Sequence, residues 1–114
     1  MKANELRIRN WVMNKGVHVQ IEEITPNTVS YCFGTYTLDF VEPIPLNEEF
    51  LLRFGIEKMH DGNYWTKKLC IRKDRDEFYA LYEQGRIYIQ HVHQLQNLYF
   101  ALTGEELTYG GNEQ

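Results

Sequence analysis

The chain is short of the residues that carry covalent chemistry. It has two cysteines, Cys32 and Cys70, far apart, and one serine, Ser30. That spacing matches neither a zinc motif nor a disulfide framework. Both thiols are expected reduced and buried as small core residues. Ser30 alternates with core positions in a predicted strand, so no nucleophile motif is present. There is no glycine-rich phosphate loop. Long apolar runs are missing, so no segment is expected to span a membrane. The stretch Met1–Asn10 is polar and charged, unlike a secretory leader, and predicts a cytoplasmic location. Basic charge is in deficit: 12 basic against 16 acidic residues leave a net charge of −4. That balance argues against nucleic acid as a partner, because phosphate binding needs a positive surface.

What the chain does have is enough apolar material for a core. Of 114 residues, 43% are hydrophobic and 25% charged, an ordinary globular composition. A chain of this length buries about two-thirds of its unfolded surface, so it folds without a metal or cofactor. One domain over 1–114 is predicted, and no cofactor. Aromatic content is high, with eight Tyr, six Phe and two Trp, which suits strands and flat contact surfaces.

Periodicity predicts an α+β fold. Residues 6–40 read as a meander of four short antiparallel strands that curls in the manner of a small SH3-like barrel. Asn14-Lys15-Gly16 and Thr25-Pro26-Asn27 are turns. Val17, Val19 and Ile21 alternate with polar residues, as do Val29, Tyr31 and Phe33; Gly34 breaks that strand, and Tyr36, Leu38 and Phe40 follow. Val41–Pro45 is an extended connector stiffened by two prolines. A short helix is predicted over 47–55, with Asn47 as N-cap, Glu48 and Glu49 in the first turn, Leu46 and Leu51 as a staple, and Gly55 as the stop. After a turn at His60-Asp61-Gly62-Asn63, residues 64–90 form a three-stranded meander. Its strands are Tyr64–Lys73, Glu77–Glu83 and Arg86–Gln90, with turns at Asp74-Arg75-Asp76 and Gln84-Gly85. In the first strand, Trp65, Leu69 and Ile71 share a face. A helix over 92–104 turns Val92, Leu95, Leu98, Tyr99 and Leu102 onto one stripe, away from Gln94, Gln96 and Asn97, and packs on the sheet. Gly104 stops it, Leu107 folds back, and 108–114 is a loose tail.

Three groupings are candidates for function. His91 and His93, with His60 and Asp61, are weak candidates for a metal site, but His93 begins the helix and its ring should turn away from His91. No metal is predicted. The acidic pairs Glu22-Glu23, Glu48-Glu49, Asp74/Asp76 and Glu105-Glu106 lie at turns or helix ends, where solvation accounts for them, so no catalytic residue is predicted. Lys67, Lys68, Arg72, Lys73 and Arg75 form the one basic stretch, beside Tyr64 and Trp65. The plainer reading is a solvated sheet face. The sharper one is a small anionic ligand, such as a nucleotide signal, held by Tyr64, Trp65, Lys67, Lys68 and Arg72. On an unbroken strand, Lys68 and Arg72 face away from Trp65 and Lys67. Tyr79 shares a face with Leu81, and Tyr82 with Phe78 and Ala80, so the sheet is apolar on both sides. One side awaits either the chain's own strands or a partner subunit.

The run His93-Gln-Leu-Gln-Asn-Leu-Tyr-Phe-Ala-Leu-Thr-Gly-Glu-Glu-Leu107 resembles the C-terminal signature of a family of small proteins of unknown function. That family belongs to gut anaerobic bacteria and their phages and mobile elements. Glu5-Leu-Arg-Ile-Arg-Asn-Trp-Val12 and Pro43-Ile-Pro-Leu-Asn-Glu-Glu-Phe-Leu-Leu-Arg-Phe-Gly55 fit the same resemblance, which covers most of the chain. A glycine often stands in the family where this chain has Arg9. The resemblance implies a phage or mobile-element setting and no activity. With the residues it leads to a non-enzymatic protein-binding module, self-association included. A nucleotide-sequestering protein is the alternative, and nucleic-acid binding a weaker one.

Overall fold

The computed structural model describes residues 1–32, 34–66, 69–82 and 85–108. The fold is mixed α+β, with antiparallel strands throughout. No described helix is long and apolar enough to cross a membrane. The chain divides into two compact units, Met1–Pro45 with His91–His93, and Leu46–Gln90 with Gln94–Gln114. The predicted tail, Phe33 and the turn residue Gln84 lie at least partly outside the described residues.

The first unit carries β1 (Trp11–Asn14), β2 (Val17–Gln20), β3 (Glu23–Ile24), β4 (Thr28–Tyr31), β5 (Gly34–Thr37) and β6 (Val41–Glu42). They form two three-stranded sheets, β2-β1-β6 and β3-β4-β5, where the sequence predicts one curl of four strands. The predicted second strand is split because it changes partners. Up to Ile21 it pairs with the first strand: Ile21 N–H donates to the Asn10 carbonyl at 2.9 Å, and Arg9 N–H to the Ile21 carbonyl at 2.8 Å. From Glu22 it pairs on its other edge, Glu22 N–H donating to Ser30 at 2.9 Å. Gly34 does not break the strand; it opens β5, opposite Tyr31. The predicted strand through Phe40 ends at Thr37, because Leu38–Phe40 winds into a 3-10 turn. The turn abolishes the period of two, so Leu38 is buried while Phe40 is exposed. The predicted connector begins as β6, where Val41 pairs with Asn14.

Leu6, Val12, Ile21, Val29, Leu38 and Val41 make the core of this unit. Val17, expected inside with Val19 and Ile21, is 60% exposed at the turn end of β2. Asn10, Asn14 and His93 are buried polar residues. Asn10 accepts from Arg7 N–H at 2.6 Å through its side-chain oxygen, and Asn14 donates to the Tyr31 hydroxyl. The first two residues of the turn into the C-terminal helix return here: His91 bridges to Pro45, and Val92 N–H donates to the Ile44 carbonyl at 2.9 Å.

The second unit opens with α1 (Glu48–Arg53). Its start is as predicted, with Asn47 Oδ1 accepting from Phe50 N–H at 2.9 Å and with Leu46 and Leu51 both buried. Gly55, at φ +79°, ends it in the left-handed conformation, and Ile56 N–H donates back to the Leu51 carbonyl at 2.9 Å. Five strands follow: β7 (Glu57–Lys58), β8 (Tyr64–Trp65), β9 (Cys70–Asp74), β10 (Glu77–Tyr82) and β11 (Gly85–Ile89). They pair as one meander, β11-β10-β9-β8-β7. The predicted three strands become five because β7 adds itself ahead of them and because Tyr64–Lys73 is not continuous. Thr66 N–H donates to the Leu69 carbonyl at 2.9 Å, while Leu69 N–H donates to Thr66 Oγ1 at 3.0 Å. That doubled contact closes a hairpin between β8 and β9, with a hydroxyl doing the work usually given to Asn or Gly.

α2 (Val92–Thr103) begins in the residues of the first unit and continues in the second. Gly104, at φ +75°, ends it, and Leu107 is buried beyond it. Gln96, predicted on the solvent side, is fully buried. Val92, Leu95, Gln96 and Tyr99 are the i, i+3, i+4 and i+7 positions of one face, so geometry places the amide inside whatever its polarity.

Candidate binding surfaces

The hairpin at Thr66–Leu69 changes which side chains meet. Residues directly opposite in an antiparallel pair share a face. Tyr64 stands opposite Ile71, and Trp65 opposite Cys70. Ile71 stands opposite Ala80, and Phe78 opposite Ile89. Tyr64, Ile71, Phe78, Ala80 and Ile89 are all buried and form the inner face. Tyr64 therefore lies on the inner face, apart from Trp65 and Arg72. Its ring meets Phe78 edge-on at 6.0 Å, and its hydroxyl donates to the Glu48 carboxylate at the head of α1. Burial first, then the Glu48 contact, pushes its pKa up to about 12.

The outer face is built from the alternate residues. Trp65 and Cys70 are opposite, Arg72 lies two residues on from Cys70, and Arg72, Tyr79 and Tyr88 form one row across three strands. Leu81 and Arg86 form the next row on the same face. Counting along an unbroken strand sets Trp65 and Arg72 on opposite faces; the reversal of direction at the hairpin puts them on the same one. Trp65 is 40% exposed and Tyr88 47%, and Leu81 is exposed beside them. Tyr79 is buried beneath this surface, with the Tyr88 ring 5.6 Å away and the Arg86 guanidinium 4.5 Å above its centroid. Arg86 also donates to the Tyr88 hydroxyl at 3.5 Å and lies 3.9 Å from Asp74. The Trp65 indole donates to Asp61 at 3.3 Å. The Asn63 N–H and that indole hold the Asp61 carboxyl below its usual range. Among the predicted ligand residues, then, Trp65 and Arg72 come together, Tyr64 does not, and Lys67 and Lys68 lie outside the described residues.

Neither cysteine is in the core. Cys70 is half-buried on the outer face, and Cys32 is exposed in a turn where its φ is +47°. Burial was expected for both from the general preference of free thiols for cores; Cys32 instead lies in a turn and Cys70 on the outer face.

A second concavity, in the first unit, has no counterpart in the sequence reading. It measures about 690 Å³ and runs along Val17–Glu22, with Ile8, Arg9, Trp11, Tyr31 and Cys32 as its other lining residues. That volume is within the range of ligand-sized clefts.

His91 and His93 do not turn apart. Their rings stack at 5.7 Å and 11°, because His91 is still extended while His93 is already in the helix. His93 is 5% exposed, and its Nδ1 has no hydrogen-bond partner among the described residues. Burial first and His91 second lower its pKa to about 4, against an opposing pull from Glu5. Among the described residues no group of three or more His, Cys, Asp or Glu is placed to hold a metal ion. Comparison of the chain with family models, curated proteins and solved structures finds no match.

Proposed function

We propose that this chain is a non-enzymatic protein-binding module of a phage or mobile element, and that it binds through the outer face of the β7–β11 sheet. What supports the binding surface is the exposed set Trp65, Leu81 and Tyr88 around Arg72 and Arg86. Tryptophan, tyrosine and arginine are the residue types that dominate interface energetics. They occupy a sheet face whose opposite side already supplies the core, so folding of this unit does not need them exposed or apolar. The phage or mobile-element setting rests on the family resemblance alone, of which His93–Leu107 is the most specific part.

The test is affinity capture with the full chain from host lysate, run beside the Trp65→Ser/Tyr88→Ser double variant, with molar mass measured by light scattering. The expected result is a partner, or a dimer, present with the parent chain and lost with the variant while circular dichroism is unchanged. A monomer that captures nothing, or a partner retained by the variant, overturns it. A nucleotide ligand is the second reading, favoured by Trp65 and Arg72 sharing a face. Stabilisation by a nucleotide in a thermal-shift screen, abolished by Arg72→Ala, selects it.

A further inference from the structure

We propose that the polypeptide segment bound by the outer face of the β7–β11 sheet presents a single carboxylate, from an Asp or Glu set among apolar residues, to Arg72. This depends on that face being the binding surface, and it adds what the partner must carry. Arg72 is a cation without a counter-ion. It is half-buried, its Nε is closed off from solvent, and its guanidinium makes no hydrogen bond or ion pair among the described residues. A covered N–H without an acceptor costs free energy, which is recovered when an acceptor arrives. The other arginine of the face is engaged. Arg86 lies over the Tyr79 ring, donates to the Tyr88 hydroxyl and sits beside Asp74. Asp74 is on the same face as Arg72, two residues on, but it lies toward Arg86.

The neighbours of Arg72 are surfaces that a polypeptide covers. Its row continues into Tyr79 and Tyr88, and Trp65 is on the adjoining strand, opposite Cys70. A segment seated on Trp65 and Tyr88 displaces water, and in that drier setting a charge-assisted pair with Arg72 counts for more than on an open surface. The planar guanidinium matches both oxygens of a carboxylate. The margin of the face sets how many charges are welcome. Glu57 stands opposite Trp65, and Asp61 accepts from the Trp65 indole. At the turn from β9 to β10, Asp74, Asp76 and Glu77 outnumber Arg75. Among the described residues, then, acids frame the uncommitted arginine. A ligand with one negative charge is attracted at the centre, while a polyphosphate or an acidic run is repelled at the rim. A nucleotide therefore suits the face less well than a polypeptide with a lone acid. A second copy of this chain, with its net charge of −4, brings the same rim acids with it.

The probe is a set of linear peptides selected from a displayed random library on the full chain, counter-selected on the Trp65→Ser/Tyr88→Ser variant and then synthesised. Each is expected to carry one Asp or Glu between apolar residues. Replacing that acid by Asn or Gln is expected to weaken binding to the parent chain at least about tenfold, a comparison that needs no variant to fold. Arg72→Met keeps an apolar stem. It is expected to bind acid and amide peptides alike and to melt no lower than the parent, since it removes an unpaired group. If no peptide depends on Trp65 and Tyr88, the reading of the face fails and the proposal with it. Peptides that depend on both but bind equally as acid and amide overturn the proposal alone. So does an Arg72→Met chain that melts lower and keeps the acid-to-amide difference, which assigns Arg72 to folding. Displacement of the peptides by ATP, with Arg72 required, overturns it in favour of a nucleotide. A dimer that Arg72→Met dissociates overturns it in favour of a second copy.

Discussion

The two units reach a stable interior by different means. In the first, strands of two to four residues surround an aliphatic core that also encloses Asn10, Asn14 and His93. In the second, a continuous meander lays Tyr64, Ile71, Phe78 and Ile89 across one face, and Gln96 is its one buried polar side chain among the described residues. Strands so short cannot fix their register by alternation alone. Buried polar side chains and turns supply the missing specification, as Asn10 does for Arg7 N–H and Asn14 for Tyr31. Longer strands need less of this. The difference predicts opposite weaknesses: the first unit fails toward acid, the second toward alkali.

The largest expected effect comes from His93. Its pKa is lowered to about 4 from an ordinary 6.5. Below pH 6.5 the unfolded chain takes up a proton that the folded chain refuses, so stability falls as pH drops from 6.5 through 4 and is flat above that window. The loss amounts to at most about 3 kcal/mol. The chain places one tryptophan in each unit, Trp11 and Trp65, so single-tryptophan variants report the units separately. Trp11 emission should change first on acidification, and His93→Gln should remove the slope. An unchanged slope in that variant, or an earlier change at Trp65, breaks the comparison.

The alkaline arm concerns Tyr64. With its pKa pushed up to about 12, the folded chain keeps a proton that the unfolded chain releases near 10. Stability is therefore lost as pH rises from 10 through 12. Tyr64→Phe should abolish that loss and, by removing the hydrogen bond to Glu48, cost about 1 kcal/mol at neutral pH. Urea unfolding of the variant at pH 7 and pH 11 measures both. A variant that keeps the alkaline loss would place its origin elsewhere.

The sequence made the helix boundaries legible because caps act locally: Asn47, Gly55 and Gly104 each do what their chemistry implies. It also made the inner and outer sets of β10 legible, since one uninterrupted strand keeps its parity. It hid the Thr66–Leu69 hairpin, which lacks a recognisable Gly, Asn or Pro signal and is closed by a threonine hydroxyl. One unseen turn was enough to set Tyr64 and Trp65 on the wrong faces, because every residue before it moves to the other face. The cleft along β2 was hidden for another reason. It arises where a strand exchanges partners at Ile21–Glu22, and alternation reads straight through that point.

The smallest effect tests whether turns govern the first unit. Lys15 and Gly16 have φ of +52° and +79° and link Asn14 to Val17, directly paired across β1 and β2. A two-residue hairpin turn with both central residues at positive φ prefers Asn followed by Gly. Lysine there bears a left-handed penalty that asparagine bears less. Lys15→Asn should raise stability by a few tenths of a kcal/mol up to about 1, seen as a higher urea midpoint at unchanged slope. The substitution touches neither the cleft walls nor the β7–β11 sheet, so peptide binding and partner capture should be unaltered. A midpoint that does not move would mean that the strands of the first unit are held by their polar anchors alone. The contrast with the second unit would then lie in the interior rather than in the turns.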